Sequence, residues 1–389
     1  MRTQQYQLDV EPAPLKNGPG SKPVRPRFRE ATFEDYPQIA ALESRYGLLP
    51  KNYEEWKHLW TQNPLWCRFK QWPIGWVCEN EHDEIVGSIG NIPLQYEFDH
   101  RPVVVATSRG LVVDEGYRPY CFPLLASFFG QSNVDLFLNT TVNDKADKLQ
   151  ELFHASRVPA GTWNRSAFWI TNYRGFTASL LASKGVRGSR ALSYPGSAGL
   201  FIRDTFSGKS LRIQHDGLET QFCAEFDDRF DRLWERIRNS ASRRLLAVRT
   251  CEVLQWHFQQ ALTANRAWVV TVNGGPGLSG YGIFCREDNP ATGLKRVRLV
   301  DFQCLDGHTY LLRPILFRGL ERCQNECIHM LEVIGFSSHK QRIIEGIAPN
   351  YRELSSWRYF YKANKPYLAA GLADAKVWDP TCFDGDSSL

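Results

Sequence analysis

The stretch VVDEGYRPYCFPLL, from Val112 to Leu125, runs from an apolar segment through Gly-Tyr-Arg-Pro into a second apolar segment. This pattern predicts a strand, a tight turn and a helix in succession. The N-terminus of a helix leaves backbone N–H groups unpaired and carries partial positive charge, so it attracts phosphate groups. Because Arg118 stands in the turn, the sequence predicts a phosphate-binding site between the strand and the helix.

The size and composition of the chain set limits on its class. Its 389 residues predict two domains plus tails, and 43% hydrophobic with 23% charged residues is typical of a soluble globular protein. Residues 1–26 are polar and rich in proline and glycine, so we predict a flexible leader. This leader lacks the apolar core of a secretory signal, and no later run is long enough for a membrane helix. We therefore predict a cytoplasmic protein with no membrane partner.

The charge and the cysteines exclude two further classes. A net charge of +5 is small for this length, and the arginines are spread along the chain, which argues against a nucleic-acid partner. The ten cysteines show no regular spacing and are typical of buried thiols in a reducing compartment. Cys323, Cys327 and His329 form the densest cluster, but their spacing matches no ordinary zinc pattern, so we predict no metal site.

The apolar pattern predicts a repeated order of elements. The first half reads β-α-α-β-β-β-α-β-α, with a strand from Val103 to Val113 ending at the opening motif and a helix from Asp144 to Ala155. The second half repeats a helix pair, a hairpin, a strand and a long helix from Tyr310 to Ile334. This weak internal repeat predicts two similar units.

A β-α-α-β-β-β unit whose third inner strand ends in Val-x-x-x-Tyr-Arg and opens a helix resembles the GCN5-related N-acetyltransferase (GNAT) superfamily. The match runs from Val113 through Arg118 to Leu125, and Asn143 stands at the family's next helix entry. The resemblance covers about residues 27 to 160 and is weaker in the second half. It implies an α/β (α+β) fold of two GNAT-like units, each a mixed, mostly antiparallel sheet flanked by helices.

The implied domains follow from the two units. Residues 27–200 form an N-terminal GNAT-like domain with the CoA site, 201–372 a degenerate second GNAT-like domain, and 373–389 a C-terminal tail. The second unit has no arginine-led glycine-rich turn, so we predict that it binds no CoA and instead completes the acceptor pocket. Its Asp306 and His308 either face the groove between the units or cap a turn. The tail either docks against the fold or frays.

The resemblance implies acetyl-CoA or another acyl-CoA as co-substrate, bound through its pyrophosphate and its pantetheine arm. The implied CoA-binding residues are Leu111, Val112, Val113, Arg118, Tyr120, Cys121, Phe122, Pro123 and Asn143. Cys121 and Pro123 replace family glycines, and Pro119 and Pro123 have no N–H to donate to a phosphate. Since each lost charged hydrogen bond costs ~1.5–3 kcal/mol, we expect weaker or altered CoA binding.

Acyl transfer from a thioester needs a neutral amine, a partner for the carbonyl oxygen and a proton donor for the thiolate. Strand N–H groups near Leu111 to Val113 are candidates for the carbonyl. Where many family members have a tyrosine that protonates the thiolate, this chain has Gln150 or Phe153, which carry no titratable hydroxyl. The other candidates are Tyr117 and Tyr120 in the turn, Asp99 and His100 as bases, and Asn139 as a substrate ligand or a bridge between strands.

Two functions remain open from the sequence. The first is an N-acyltransferase that moves an acetyl or longer acyl group from CoA, or from a carrier thioester, to an amine of a small molecule or peptide. An acyl carrier protein is then a potential partner. The second is a catalytically silent GNAT-fold binding or assembly protein, in which the lost glycines and the lost tyrosine record the loss of chemistry.

Overall fold

The structure is a computed structural model that describes residues 26–69, 71–144, 146–161, 163–206, 218–240, 243–274 and 277–389. Apart from Pro26, the predicted leader lies outside the described residues. The described part folds into two mixed sheets with helices packed against them.

The first half follows the predicted order of elements, although its last helix is shorter than predicted. Its elements are β1 (Arg27–Glu30), α1 (Tyr36–Arg45), α2 (Tyr53–Thr61), β2 (Gly75–Glu79), β3 (Ile85–Phe98), β4 (Arg101–Val113), α3 (Cys121–Phe129), β5 (Leu136–Val142), α4 (Asp147–Leu152), β6 (Ser156–Arg157) and β7 (Arg165–Ile170). Local chemistry sets several of these boundaries. The Asn52 side chain, for example, accepts a hydrogen bond from the Glu55 amide and starts α2.

The second half begins with a helical hairpin and then repeats the order helix, helix, hairpin, strand, helix. Its elements are α5 (Tyr173–Ser183), α6 (Ser189–Phe206), β8 (Thr220–Cys223), α7 (Asp228–Ser240), β9 (Leu245–Ala247), α8 (Cys251–Thr263), β10 (Ala267–Gly274), β11 (Gly277–Arg286), β12 (Arg296–Cys304), α9 (Leu312–Asn325), β13 (Met330–Val333), α10 (Ser338–Ile347), β14 (Asn350–Glu353), β15 (Arg358–Ala363) and α11 (Pro366–Leu372). The predicted repeat is therefore present in the order of elements.

Both sheets are mixed and mostly antiparallel, which confirms the predicted fold class. The first sheet has the order β1-β2-β3-β4-β5-β15-β6, with β9 added to β3, and its single parallel pair is β4 with β5. The second has the order β14-β7-β13-β12-β11-β10-β8, and its single parallel pair is β12 with β13. The two units thus share one topology.

The two sheets exchange a strand. β15, from the end of the chain, pairs with β5 in the first sheet, and β7, from the first half, pairs with β13 in the second. Each sheet therefore contains strands from both predicted domains, 27–200 and 201–372. The boundary between these two domains stays a prediction. Buried residues of both sheets, such as Val105 and Val300, belong to one hydrophobic cluster. The halves are joined by strand pairing and by a common core.

The predicted long helix from Tyr310 to Ile334 is wrong. α9 ends at Asn325, Cys327 has a positive φ of 52°, and β13 then pairs in parallel with β12. All four residues of β13 are buried, including Glu332, which pairs with Arg296 and Arg298, so the sequence Met-Leu-Glu-Val shows no regular alternation of polar and apolar residues. Periodicity alone does not separate such a strand from the end of a buried helix.

The remaining observations on the described residues concern the cysteines, metal binding and membrane-spanning helices. All ten cysteines carry free thiols; Cys323 is fully buried whereas Cys327 is exposed. The described ranges contain no group of three or more side chains arranged to hold a metal ion. None of the helices in those same ranges has the length and apolar character required to cross a bilayer.

Candidate active site

The parallel pair β4 and β5 separates partway along its length. The two strands pair only from Val105–Leu136 to Thr107–Leu138. Beyond that point Ser108 reaches β5 through its side chain, which donates to Asn139 Oδ1 at 2.7 Å. The edge of β4 from residue 109 to 113 therefore has no β5 partner. Such an edge presents main-chain donors and acceptors to a ligand.

A β-bulge lies on this open edge. Ser88 pairs with Val112 and Gly90 with Arg109, so β4 has two residues where β3 has one. The extra residues are Gly110 and Leu111, and Gly110 has a φ of +62° that favours glycine. Bulged residues leave the regular ladder, so the N–H groups here are candidate donors to the carbonyl oxygen of a thioester. The predicted carbonyl partner Leu111 lies in the bulge, and Val112 and Val113 lie just beyond it.

Asn139 bridges the two separated strands. Its Oδ1 accepts from the Ser108 hydroxyl and, at 3.3 Å, from the Ser108 amide, and its Nδ2 donates to Gln150 Oε1 at 2.8 Å. Both amide side chains are buried. Of the two roles predicted for Asn139, the structure therefore shows the bridge. Gln150, one of the two residues predicted to stand where many family members have a tyrosine, completes this bridge.

We expect Asn139→Ala to lower the free energy of unfolding by about 1–3 kcal/mol, because it removes the partner of the half-buried Ser108 hydroxyl and of the buried Gln150 side-chain oxygen. Urea unfolding followed by tryptophan fluorescence measures the change. Gln62→Ala, an exposed amide after α2, is the control and stays within about 0.5 kcal/mol of the parent. Equal stability of Asn139→Ala and Gln62→Ala contradicts the bridge.

The opening motif forms a helical turn. Residues Glu115–Tyr120 make a 3-10 helix that leads directly into α3. The Tyr117 amide donates to Asp114 O, and the Cys121 amide donates to Arg118 O. Cys121 was predicted to keep its amide for a phosphate, but the turn already uses it. Arg118 is exposed and pairs with Glu115 at 3.1 Å, so its guanidinium is at the surface beside this turn.

The remaining residues of the predicted CoA site flank the turn. Phe122 is half exposed, and its ring lies 4.7 Å from that of Phe153. Pro123 lies in the first turn of α3, where its missing N–H leaves no helical bond unmade. Asn143 is exposed beyond the end of β5, and its side chain accepts from the Ala146 amide at 3.0 Å. These residues border the open side of the β4–β5 split.

The two turn tyrosines lie away from the split. Tyr117 contacts Tyr120, with ring centroids 6.2 Å apart, and Tyr120 lies 5.9 Å from Phe28 on β1. Burial and the carboxylate of Glu81 raise the pKa of Tyr117. Since β1 lies at the far edge of the sheet from β5, the structure does not bring either tyrosine to Asn139. Their catalytic role stays a prediction.

The other predicted bases occupy turns. Asp99 and His100 are exposed, have positive φ values of 53° and 60°, and connect β3 to β4 in a two-residue hairpin. They lie at the end of β4 opposite to the split. In the second unit, Asp306 pairs with Arg244 at 2.8 Å and His308 precedes a short 3-10 helix. The His308 side chain makes no cap hydrogen bond to this helix, so the roles proposed for Asp306 and His308 stay predictions.

The C-terminal tail docks against the fold. Thr381, Cys382, Phe383, Asp384 and Gly385 are buried. Tyr96 on β3 donates to Asp384 Oδ1 at 2.9 Å and accepts from the Gly385 amide. Burial raises the pKa of the Asp384 carboxyl. Of the two outcomes predicted for the tail, docking is the one observed.

Asp386 places a carboxyl beside the split. Its Oδ1 accepts from the Thr140 hydroxyl at 2.5 Å and its Oδ2 from the Thr141 hydroxyl at 3.2 Å, both on the separated part of β5. Burial raises the pKa of this carboxyl, and the Thr140 hydrogen bond and the charge of Arg109 offset part of that rise. Asp386 therefore takes up a proton more readily than an ordinary aspartate.

Charged groups meet around the bulge. Arg109 lies 3.7 Å from the buried carboxyl of Glu43 on α1. Burial raises the pKa of Glu43, and Arg109 opposes this shift. A Cβ at Gly110 would lie 2.4 Å from Glu43 Oε1, so Glu43 packs directly on the bulge. Arg109 thus lies within electrostatic reach of one carboxyl from α1 and one from the tail.

A cavity of about 220 Å³ opens beside the tail. Its walls come from α2, α8, β11 and residues 387–389. Lys51 lines it, and among the described residues no carboxylate lies within 4 Å of its ammonium group. Burial, and next the charge of Arg109, lower the pKa of Lys51 to about 8. The cavity therefore presents a cation without an ion-pair partner in the described chain.

His257 and Ser388 also line this cavity and form a polar pair. The two side chains lie 2.9 Å apart, and burial lowers the pKa of His257 to about 3, so its imidazole is neutral near pH 7. A neutral imidazole both donates and accepts, which suits it to orient a polar acceptor. With a pKa of about 3, the His257 imidazole is too weak a base to take the proton from an attacking amine.

Sequence reasoning missed Glu43, Lys51, Arg109, Gly110 and Asp386. Two of them had a signal in the sequence: Gly110 interrupts an apolar strand, which indicates a bulge, and Glu43 follows Ile39 by four positions on the apolar face of α1. Arg109 adjoins Gly110 and had no pattern of its own. Lys51 and Asp386 lie far apart in sequence from the split, and only the fold brings them to it.

Comparisons with known proteins agree with this geometry. No protein-family model and no curated protein matches the sequence. Among solved structures, Saccharomyces cerevisiae N-myristoyltransferase with bound myristoyl-CoA and inhibitors aligns at a TM-score of 0.59 and 12% identity, covering 88% of this chain and 82% of that one. A GCN5-related N-acetyltransferase from Anabaena variabilis aligns at 0.50 and 12%, covering 87% and 73%.

A third structure, an Enterococcus faecalis protein of unknown function described as a probable N-acyltransferase, aligns at a TM-score of 0.51 and 8% identity, covering 87% of this chain and 72% of that one. At such identities the likeness concerns the fold. The resemblance predicted from the motif between Val113 and Leu125 is confirmed at that level. The chain therefore has the GNAT fold, which it shares with these N-acetyl- and N-myristoyltransferases.

Proposed function

We propose that this protein is an N-acyltransferase that moves an acetyl or longer acyl group from CoA, or from a carrier-protein thioester, to an amine. Its fold is that of known acyltransferases, one of which holds myristoyl-CoA. The observation that carries the proposal is the position of the Asp386 carboxyl. It comes from the tail, accepts a hydrogen bond from Thr140 on the separated part of β5, and has its pKa raised by burial. A protein that only binds CoA has no need of such a group there.

In the proposed reaction the thioester carbonyl accepts a hydrogen bond at the Gly110–Leu111 bulge while the pantetheine arm follows the open edge of β4. The acceptor amine enters from the cavity and its nitrogen attacks the carbonyl carbon. Asp386 takes the proton that this nitrogen loses, and the C–S bond breaks as the new amide forms. The thiolate of CoA then leaves and takes up a proton from solvent.

The cavity defines the proposed acceptor class. Lys51, without a carboxylate partner among the described residues, favours an acceptor with an acidic group, whether a small molecule or a peptide. Pro119 and Pro123 have no N–H to donate to a phosphate, and the N–H of Cys121 is used within its turn. An acyl carrier protein, which presents pantetheine without the nucleotide part of CoA, is therefore a second proposed donor. We propose a cytoplasmic location.

Binding of the donor is the first experiment. If CoA binds, acetyl-CoA at about 100 times its dissociation constant adds about 2.7 kcal/mol to the free energy of unfolding. Thermal denaturation with acetyl-CoA, myristoyl-CoA and free CoA measures this. Arg118→Glu removes a cation beside the turn, so we expect its CoA affinity to fall about tenfold or more.

Arg342→Glu, an exposed charge reversal on α10, is the control and keeps the parent affinity. Equal affinities of Arg118→Glu and Arg342→Glu contradict the phosphate-site assignment. If no CoA species stabilises the parent, the donor is a carrier thioester or the chain is catalytically silent. Release of thiol from an acyl carrier protein in the presence of amines separates those two cases.

A further inference from the structure

The helical hairpin α5–α6 extends from the second sheet, and the main packing partner of α6 is α5. Tyr173 on α5 packs edge-on against Phe201, with centroids 5.3 Å apart, and its hydroxyl donates to Asp204 at 3.3 Å. Gly196 allows close approach, since a Cβ there would lie 2.9 Å from the Thr177 methyl. The side of α6 that carries Ser193 and Asp204 is thus buried against α5.

The opposite side of α6 is apolar and open to solvent. Its large exposed side chains are Leu192 (50% exposed), Ile202 (53%) and Phe206 (90%), and it is flanked by Tyr194 (56%) and Phe201 (50%), which also contact Arg174 and Tyr173 of α5. The small residues Ala191, Ala198 and Gly199 are exposed beside them. Isolated exposed apolar residues are normal on a protein surface, but five large ones on one helix form a patch that indicates a binding surface.

The charged residues of the hairpin are nearly all cations. Its sequence carries Arg174, Lys184, Arg187, Arg190 and Arg203, and Asp204 is its one carboxylate. Arg157 and Arg165, the other cations between Glu151 and Asp204, lie outside the hairpin and pair with Asp147 and Glu345. The carboxylate of Asp204 is buried and is paired with Arg203 at 2.7 Å, so it offers little negative charge to the outside. The whole chain has a net charge of only +5, so five cations against one carboxylate is a strong local excess of positive charge.

We propose that the α5–α6 hairpin docks on an anionic lipid surface, with α6 lying in the plane of the headgroups. A helix of this kind binds by burying its apolar side at the acyl boundary while nearby cations meet anionic headgroups. Arg174 stacks on Tyr194 at 3.9 Å, which pairs a cation with an aromatic ring of the type enriched at membrane interfaces. Pro195, Arg203 and Asp204 within α6 suit a helix that lies on a bilayer rather than one that crosses it.

The charges favour a lipid surface over a protein partner. A protein groove that accepts an apolar helix needs no run of cations, whereas an anionic bilayer attracts every cation within a Debye length. The proposal departs from the predicted absence of a membrane partner, which rested on the lack of a membrane-spanning run in the sequence and did not consider docking on the surface of a bilayer. This inference is independent of the proposed acyl transfer.

Vesicle co-sedimentation of the full chain tests the proposal. We expect at least about tenfold stronger partitioning onto phosphatidylcholine vesicles that contain about one-third phosphatidylserine than onto phosphatidylcholine alone, weakening as salt is raised. Ile202→Asp and Phe206→Asp each place a carboxylate in the apolar patch, so each lowers partitioning by about tenfold or more. Leu49→Asp, at a 71% exposed leucine outside the hairpin, is the matched control and partitions like the parent.

Three results would overturn the proposal: no partitioning of the parent, equal partitioning onto both vesicle types, or variants that partition like Leu49→Asp. Sedimentation velocity without lipid adds a further arm. If the parent dimerises and Phe206→Asp is monomeric, a second copy covers the patch and the lipid assignment is wrong. Far-UV circular dichroism of each variant confirms that the fold is retained, since both substituted side chains are exposed.

Discussion

Replacing Arg249 with methionine is expected to lower the free energy of unfolding by about 3–5 kcal/mol, because it leaves buried carboxylates without their cation. The Arg249 guanidinium donates to both oxygens of Asp301 at 2.9 and 3.1 Å and to the Thr381 hydroxyl at 3.2 Å. It also lies 3.7 Å from Asp384. This single side chain therefore connects β12 of the second sheet to the docked tail.

The pKa of the Asp301 carboxyl shows how strongly this group interacts with Arg249. Burial alone would raise its pKa, but the Arg249 guanidinium brings the pKa below its ordinary value. A lowered carboxyl pKa contributes stability above the pKa of the unfolded chain, and this stability is lost as the pH falls. The stability gap between the parent and Arg249→Met is therefore expected to narrow in acid.

Denaturant unfolding at pH 7 measures the effect of Arg249→Met. Arg232→Met is the matched control, because Arg232 pairs with Asp228 on the exposed side of α7, and its loss costs less than about 1 kcal/mol. Arg249→Met combined with Asp301→Leu recovers part of the loss, since it removes the carboxylate left unpaired in the single variant. A loss for Arg249→Met as small as that for Arg232→Met shows that the cluster does not anchor the tail.

Asp386→Asn is expected to lower kcat/KM for acyl transfer by about 10²–10⁴-fold, the usual contribution of a general base. Asparagine has nearly the same shape and still accepts a hydrogen bond from Thr140, so we expect the fold and the donor affinity to be kept. The measurement is release of thiol from the donor with a responsive amine. Asp374→Asn, at an exposed carboxyl that caps a short helix at the start of the tail, keeps full activity because asparagine also caps helices.

The pH profile separates a base from a purely structural carboxyl. Because burial raises the pKa of Asp386, the base loses its active form as the pH falls through that raised value. The acid limb of kcat/KM is therefore expected above the ordinary aspartate pKa in the parent and absent in the residual activity of Asp386→Asn. Retention of more than about one-third of the activity by Asp386→Asn would contradict this role.

Glu43 provides the competing assignment within the same site. It is buried against the Gly110 bulge and its pKa is also raised. If Asp386→Asn is active and Glu43→Gln is not, Glu43 on α1 is the base that takes the proton from the amine. The other steps of the proposed reaction are then unchanged. If both variants keep the activity of the parent, the charged cluster around Arg109 has no part in the chemistry.

Local patterns in the sequence were sufficient for most of the fold. The apolar runs of β2 and β4 and the apolar face of α2, which carries Trp56 and Trp60, depend on residues close together in the chain, so they can be recognised without knowledge of the tertiary structure. Prediction failed at β13, where all residues are buried and no period remains. It also did not foresee the exchange of β7 and β15, because strand pairing between distant segments has no local pattern.

The candidate site shows the same difference between local patterns and contacts of distant residues. The sequence by itself determined the strand–turn–helix from Val112 to Leu125, the GNAT resemblance and the position of Arg118, because these depend on residues close together in the chain. Only the tertiary structure decided that Asn139 bridges the split, and that Asp386 meets Thr140 across 246 positions. Such contacts arise when the tail is held by Arg249 and a common core forms, and burial then shifts the pKa values that give the site its chemistry.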